Sequence, residues 1–133
     1  MLPIPRRVRK NASRGNRMKE EGYRGARGKG ISRGIQLENE SHISIEDAIQ
    51  MRAWFARHVI TSYGNYEQWT EASDDDKEDR RAWKGAVAWL LWGGTAAYYW
   101  ILSKDVQTEI YEWGIETNRR LKKYVTPYTG LVD

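Results

Sequence analysis

The chain contains no cysteine. Disulfide frameworks, cysteine zinc sites and thiol nucleophiles are thereby excluded, and the composition fits a reducing compartment. Histidine occurs only as His42 and His58, and no serine stands in a nucleophile-elbow context to pair with either. The segment GARGKGIS lacks the spacing of a phosphate loop that ends in Gly-Lys-Ser/Thr, and no strand pattern precedes it. Strand patterns are scarce throughout. No apolar stretch follows Met1, so no secretory signal is expected. From these gaps we expect no enzyme activity, no cofactor and no metal site.

What is present is aromatic and charged. Among 133 residues there are seven tryptophans and eight tyrosines, against an apolar content of 40%. That supplies one small core if the aromatic residues lie inside it. The net charge of +4 hides an asymmetry: residues 1–34 hold 11 Lys/Arg against 2 Glu, leaving −5 for residues 35–133. Residues 1–34 also carry six of the twelve glycines. Like charges in such a block repel, so the segment reads as an extended basic arm that needs a polyanion or an acidic surface to order it. Arg6, Arg7, Arg9, Lys10, Arg14, Arg17, Arg24, Arg27, Lys29 and Arg33 are its candidate contacts with nucleic acid or with a neighbouring subunit. A flexible solubilising tail is the plainer alternative.

The body begins at SIEDAIQMRAWFARHV. Ser44 is a good N-cap with Asp47 three residues on, and Ile45, Ala48, Ile49, Phe55, Ala56 and Val59 recur at helical spacing. Gly64-Asn65 signals a turn, with a short helix after it. Asp74, Asp75 and Asp76 point in divergent directions and suit an acidic helix start better than a cation site. The next helix is expected from about Lys77 to Trp92, apolar nearly all round in its second half and therefore buried on several sides. Trp54, Phe55, Trp89 and Trp92 are the expected centre of the core. His58, beside Arg57, is expected at a helix end as a partner for the last carbonyls, or in a hydrogen bond to a buried tryptophan-rich neighbour, rather than in a catalytic role.

Gly93-Gly94 then breaks the pattern. Beyond it Tyr99, Leu102, Val106, Ile110, Trp113, Leu121 and Tyr124 recur at spacings of three and four, predicting an amphipathic helix of up to about thirty residues, closed by Pro127. An apolar stripe on so long a helix suits packing on a partner chain, with folding back on the body as the alternative. From Gly85 to Ser103 no residue is charged, which is about enough chain to cross a bilayer. The central glycine pair and the spread of Trp and Tyr through the run argue for a buried core instead, because those residues prefer the membrane interface.

Three motifs in order resemble a small domain encoded by many tailed bacteriophages: a Ser-Arg-Gly-Ile step within Ile31–Gln36, a helix ending in Met-x-x-Trp-Phe-x-Arg-His over Met51–His58, and Ala-Trp-x-x-Trp-Gly-Gly over Ala88–Gly94. The resemblance covers roughly residues 20–94. In that family an acidic residue and a further glycine usually follow the double glycine, whereas here TAAYYW follows, which points to a special adaptation of the C-terminal third. The resemblance implies phage context more strongly than any chemistry.

Together these readings predict an all-α chain in three parts: an extended basic arm (1–34), a small helical domain (35–94), and a long C-terminal helix with a tail (95–133). The expected role is structural, as a minor capsid, cement or head-to-tail protein of a phage particle, made in the host cytoplasm and oligomeric in the assembly. Its expected partners are other virion proteins, such as major capsid or portal-proximal subunits, and packaged DNA. The alternatives are a phage DNA-binding or DNA-packaging accessory and, more weakly, a membrane-active lysis protein using residues 85–103.

Overall fold

The structure, a computed structural model, describes residues 1–125, with side chains through residue 119. Its architecture is all-α apart from one pair of two-residue strands. Strand β1 (Leu2–Pro3) runs antiparallel to β2 (His42–Ile43), with Leu2 opposite Ile43. The Ile4 N–H donates to the Ser41 carbonyl at 2.9 Å, extending the clasp. Between the two strands lie helices α1 (Arg6–Glu20) and α2 (Gly28–Asn39).

These helices replace the extended arm expected over residues 1–34. Val8, Ala12, Gly15 and Met18 are buried at spacings of three and four, so α1 presents an apolar stripe despite its charge. Pro5 precedes it with φ already at −62°, where a missing N–H costs nothing. The helix ends in a Schellman motif: Gly22, at φ +92°, donates to the Lys19 carbonyl, and Tyr23 donates to that of Met18. The buried side chains of Tyr23 and Met18 share one cluster, the contact that accompanies this motif.

Helix α3 (Ile45–Glu71) starts where expected, with the Ser44 hydroxyl accepting from the Asp47 N–H at 3.0 Å. It does not stop near His58 but continues for 27 residues through Gly64-Asn65. Asn65 serves a different purpose there. Its amide donates to the Ala82 carbonyl at 3.1 Å, and its oxygen accepts from the Ala86 N–H at 2.9 Å. It thus caps α5 (Lys84–Leu91), whose own preceding residue Trp83 offers no side-chain cap. The short α4 (Asp74–Lys77) holds the aspartate trio in its first turn under a Ser73 cap. The helix expected from Lys77 to Trp92 is therefore shorter, beginning at Lys84 after non-helical chain over residues 78–83.

Helix α5 is the hub. Ala86, Val87, Trp89, Leu90 and Leu91 are buried, with Trp89 in one cluster and the other four in a second. The glycines around it permit close approach. A Cβ on Gly15 would lie 2.8 Å from the Leu91 backbone nitrogen, and one on Gly85 would lie 3.1 Å from Ser62 Cα. The Trp-Gly-Gly end bends rather than terminates: Gly93 takes φ +100° and its carbonyl accepts from the Asn11 amide at 2.9 Å.

Helices α6 (Gly94–Ile101) and α7 (Lys104–Val125) occupy the region expected to be one long helix. The break falls at Leu102-Ser103. There the Ser103 hydroxyl donates to the Trp100 carbonyl at 2.6 Å, and the Gln107 amide donates to that of Ile101 at 2.7 Å. These bonds take up carbonyls that a continuous helix would have satisfied. Residues 85–103 are accordingly split between two short helices, and no described helix is long and apolar enough to cross a membrane.

The three-part division also does not hold as separate units. Val8 and Ala12 share a core cluster with Leu37, Trp54, Phe55, Trp89, Trp92, Ile101 and Val106. The four expected core aromatics, Trp54, Phe55, Trp89 and Trp92, are all buried in it.

Candidate anion-binding surface

Burial of one α1 stripe leaves the opposite face to its cations. At about 100° per residue, Arg6, Arg7, Lys10, Arg14 and Arg17 fall within one arc of about 100°. Arg6, Arg7, Lys10 and Arg17 are exposed, and their side chains make no hydrogen bond or ion pair among the described residues. Arg14 is half-buried, its guanidinium 5.7 Å from the Trp69 ring centre. Arg9 lies to the side and donates to the Glu40 carbonyl at 3.1 Å.

Arg33 is a correction to the expected set. It is 7% exposed and belongs to the interior. Its guanidinium pairs with Asp47 at 3.0 Å, donates to Gln50 at 2.8 Å and to Gln36, and lies 5.2 Å from the Trp92 ring centre. Gln36 donates in turn to Asp47 at 2.8 Å. Burial alone would raise the Asp47 carboxyl. The bonds from Gln36 and Arg33, the Arg33 charge and the Ser44 bond outweigh it and hold the group below its ordinary value of 3.8.

Beyond Arg33 a column of rings continues. Trp92 stacks on Trp54 at 4.9 Å with planes 10° apart, and His58 lies 5.0 Å from Trp54 on a tilted plane. His58 therefore packs within α3 against an indole instead of serving a helix end. The column uses the faces of these indoles and leaves their edges.

The remaining expected cations, Arg24, Arg27 and Lys29, surround the chain leading into α2, where Gly25 has φ +129° and Ala26 φ +59°. Two clefts meet there. One, of about 650 Å³, is lined by Lys19, Tyr23, Arg24, Arg27 and Lys84 among others. The second, of about 390 Å³, is lined by Arg27, Lys29, Gly30, Gln50, Arg57 and the two stacked indoles. Among the described residues no acidic side chain lines either cleft. Their cations make no side-chain hydrogen bond or ion pair among the described residues. Sequence reasoning missed Lys19, Lys84 and Arg57, which lie far from one another in the chain. Arg57 was paired with His58 at a helix end that does not exist.

The apolar stripe expected to serve assembly is divided. Val106 and Ile110 are buried in the core and Trp113 packs against it, so α7 folds back on the body. Tyr99 and Leu102 stay exposed, at 69% and 46%. Leu121 and Tyr124 lie outside the residues whose side chains are described. Comparison with protein-family models, curated proteins and solved structures finds no match to this chain.

Proposed function

We propose that this protein is a non-catalytic structural component of a tailed-phage particle, a minor capsid, cement or head-to-tail subunit that docks on an anionic partner through its basic surface. The observation that carries the docking is the α1 face, where Arg6, Arg7, Lys10 and Arg17 project from a helix anchored in the core without acidic partners. Cations fixed on a folded helix lose less freedom on binding than cations on a free tail, so each contact contributes more. The phage context rests on the three ordered motifs over residues 31–94. Tyr99 and Leu102 add a small exposed apolar area beside Tyr98, suited to burial in a subunit contact.

Quantitative mass spectrometry of purified particles tests the reading. A fixed copy number per particle is expected, and absence from particles overturns it. The second reading, a DNA-binding or packaging accessory, is favoured by the acid-free clefts at the start of α2. In that case duplex DNA binds with a logarithmic salt slope of about −0.9 per phosphate contacted, roughly −4 for the α1 face. A salt slope near zero refutes it. The weaker lysis reading drew on residues 85–103, and no described helix is long and apolar enough to cross a membrane.

A further inference from the structure

Helix α2 begins with unused hydrogen-bonding capacity. Its N-cap residue Arg27 makes no side-chain cap, and the first backbone bond at this end is from Ile31 N–H to the Arg27 carbonyl. The N–H groups of Gly28, Lys29 and Gly30 are thus left without acceptors, at the positive end of a 12-residue helix. A second observation points to the same place. Trp92 is only 5% exposed, lines the smaller cleft, and its indole N–H has no acceptor among the described residues. That nitrogen lies 3.5 Å from where a Cβ on Gly30 would stand, so glycine at this position keeps it uncovered.

We propose that this cleft binds a phosphate group. The N–H groups of Lys29 and Gly30 and the Trp92 indole N–H donate to its oxygens, and Arg27, Lys29 and Arg57 supply the charge. Helix N-termini favour such oxyanions through oriented N–H groups and the macrodipole together. The cations come from α3 and from α2 with its N-cap, and among the described residues no carboxylate lines the cleft to compete for them. The ring column refines the class of ligand. Arg33 and Trp54 both lie over Trp92, and Trp92 and His58 both lie over Trp54. The two indoles of the cleft already carry these ring contacts, which favours a phosphate over a stacked nucleobase as the ligand. The phosphate is either a free or terminal one, or a diester within a nucleic-acid backbone. The site stands independently of the phage assignment and of the α1 face.

The test is a titration of the full-length protein followed by ¹H–¹⁵N NMR, with Trp92→Phe identifying the indole signal. The probes are inorganic phosphate at constant ionic strength and a short DNA duplex lacking terminal phosphates. Saturable shifts of the Trp92 indole and the Lys29 and Gly30 amides are expected. If inorganic phosphate produces them, the site takes a free or terminal phosphate. If only the duplex does, it takes a backbone diester. In Arg27→Gln the affinity for the active probe should fall about tenfold, the loss typical of a charged hydrogen bond. If neither probe moves the Trp92 indole and the Gly30 amide, the proposal is overturned. Shifts confined to Arg6, Lys10 and Arg17 would uphold docking through α1 while refuting this site.

Discussion

Replacing Arg33 with methionine removes a buried cation and leaves its partners in place. The Asp47 carboxylate loses the guanidinium at 3.0 Å, and Gln36 and Gln50 each lose a donor. Breaking a fully buried pair costs about 3–5 kcal/mol. Asp47 keeps 27% exposure, so water recovers part of that loss and about 2–3 kcal/mol is expected. Methionine partly restores the contact with Trp92 through its sulfur. For a chain of this size the melting temperature should fall by about 10 °C, followed by circular dichroism and tryptophan fluorescence. The pH dependence identifies the cause. A carboxyl whose folded pKa lies below its unfolded value stabilises the fold fully above the unfolded value, here 3.8, and loses that contribution as pH falls through the folded one. The difference between wild type and Arg33→Met should therefore be full at neutral pH and shrink below about pH 4. Melting within about 2 °C of wild type at neutral pH, or a difference that persists unchanged in acid, would refute the pairing as a source of stability.

Four further variants probe other parts of the structure. Gly15→Ala should destabilise by about 1–3 kcal/mol through overpacking against the Leu91 backbone, despite alanine's better helix propensity, whereas Gly64→Ala, with open space around it, should stabilise by about 0.5–1 kcal/mol; urea titration separates the two. Asn65→Ala should cost about 1 kcal/mol by uncapping α5, and a hydrogen-exchange rise confined to the Ala86 region would be its signature. The triple change of Arg6, Lys10 and Arg17 to glutamine should leave the melting temperature nearly unchanged while weakening attachment to the anionic partner. A large loss of stability would show that this face is structural.

The periodic parts of the sequence were legible. Ser44 with Asp47 marked the start of α3, and the near-continuous apolar run over residues 86–92 marked the buried hub. The basic segment misled because its stripe is thin. Only Val8, Ala12 and Met18 give α1 an apolar period, and the missing member is Gly15, which counts as a breaker in sequence but as a close contact in space. Asn65 misled for a related reason: its value as a cap for α5 depends on two residues about twenty positions away. The break at Ser103 lies inside an unbroken amphipathic period, and only the bonds made by Ser103 and Gln107 disclose it. The clefts were least legible of all. Their cations were counted one by one along a supposed arm, and α5 and α3 contribute Lys84 and Arg57 from elsewhere.

The clasp between Leu2-Pro3 and His42-Ile43 closes the α1–α2 hairpin at its root. A truncation that trims the first 34 residues to shed their charge would also take Leu2, Ile4, Val8 and Ala12 out of the core. Positive charge and foldedness are thus inherited together in this chain. The charge can be changed one side chain at a time, whereas a deletion that removes α1 also removes its share of the core.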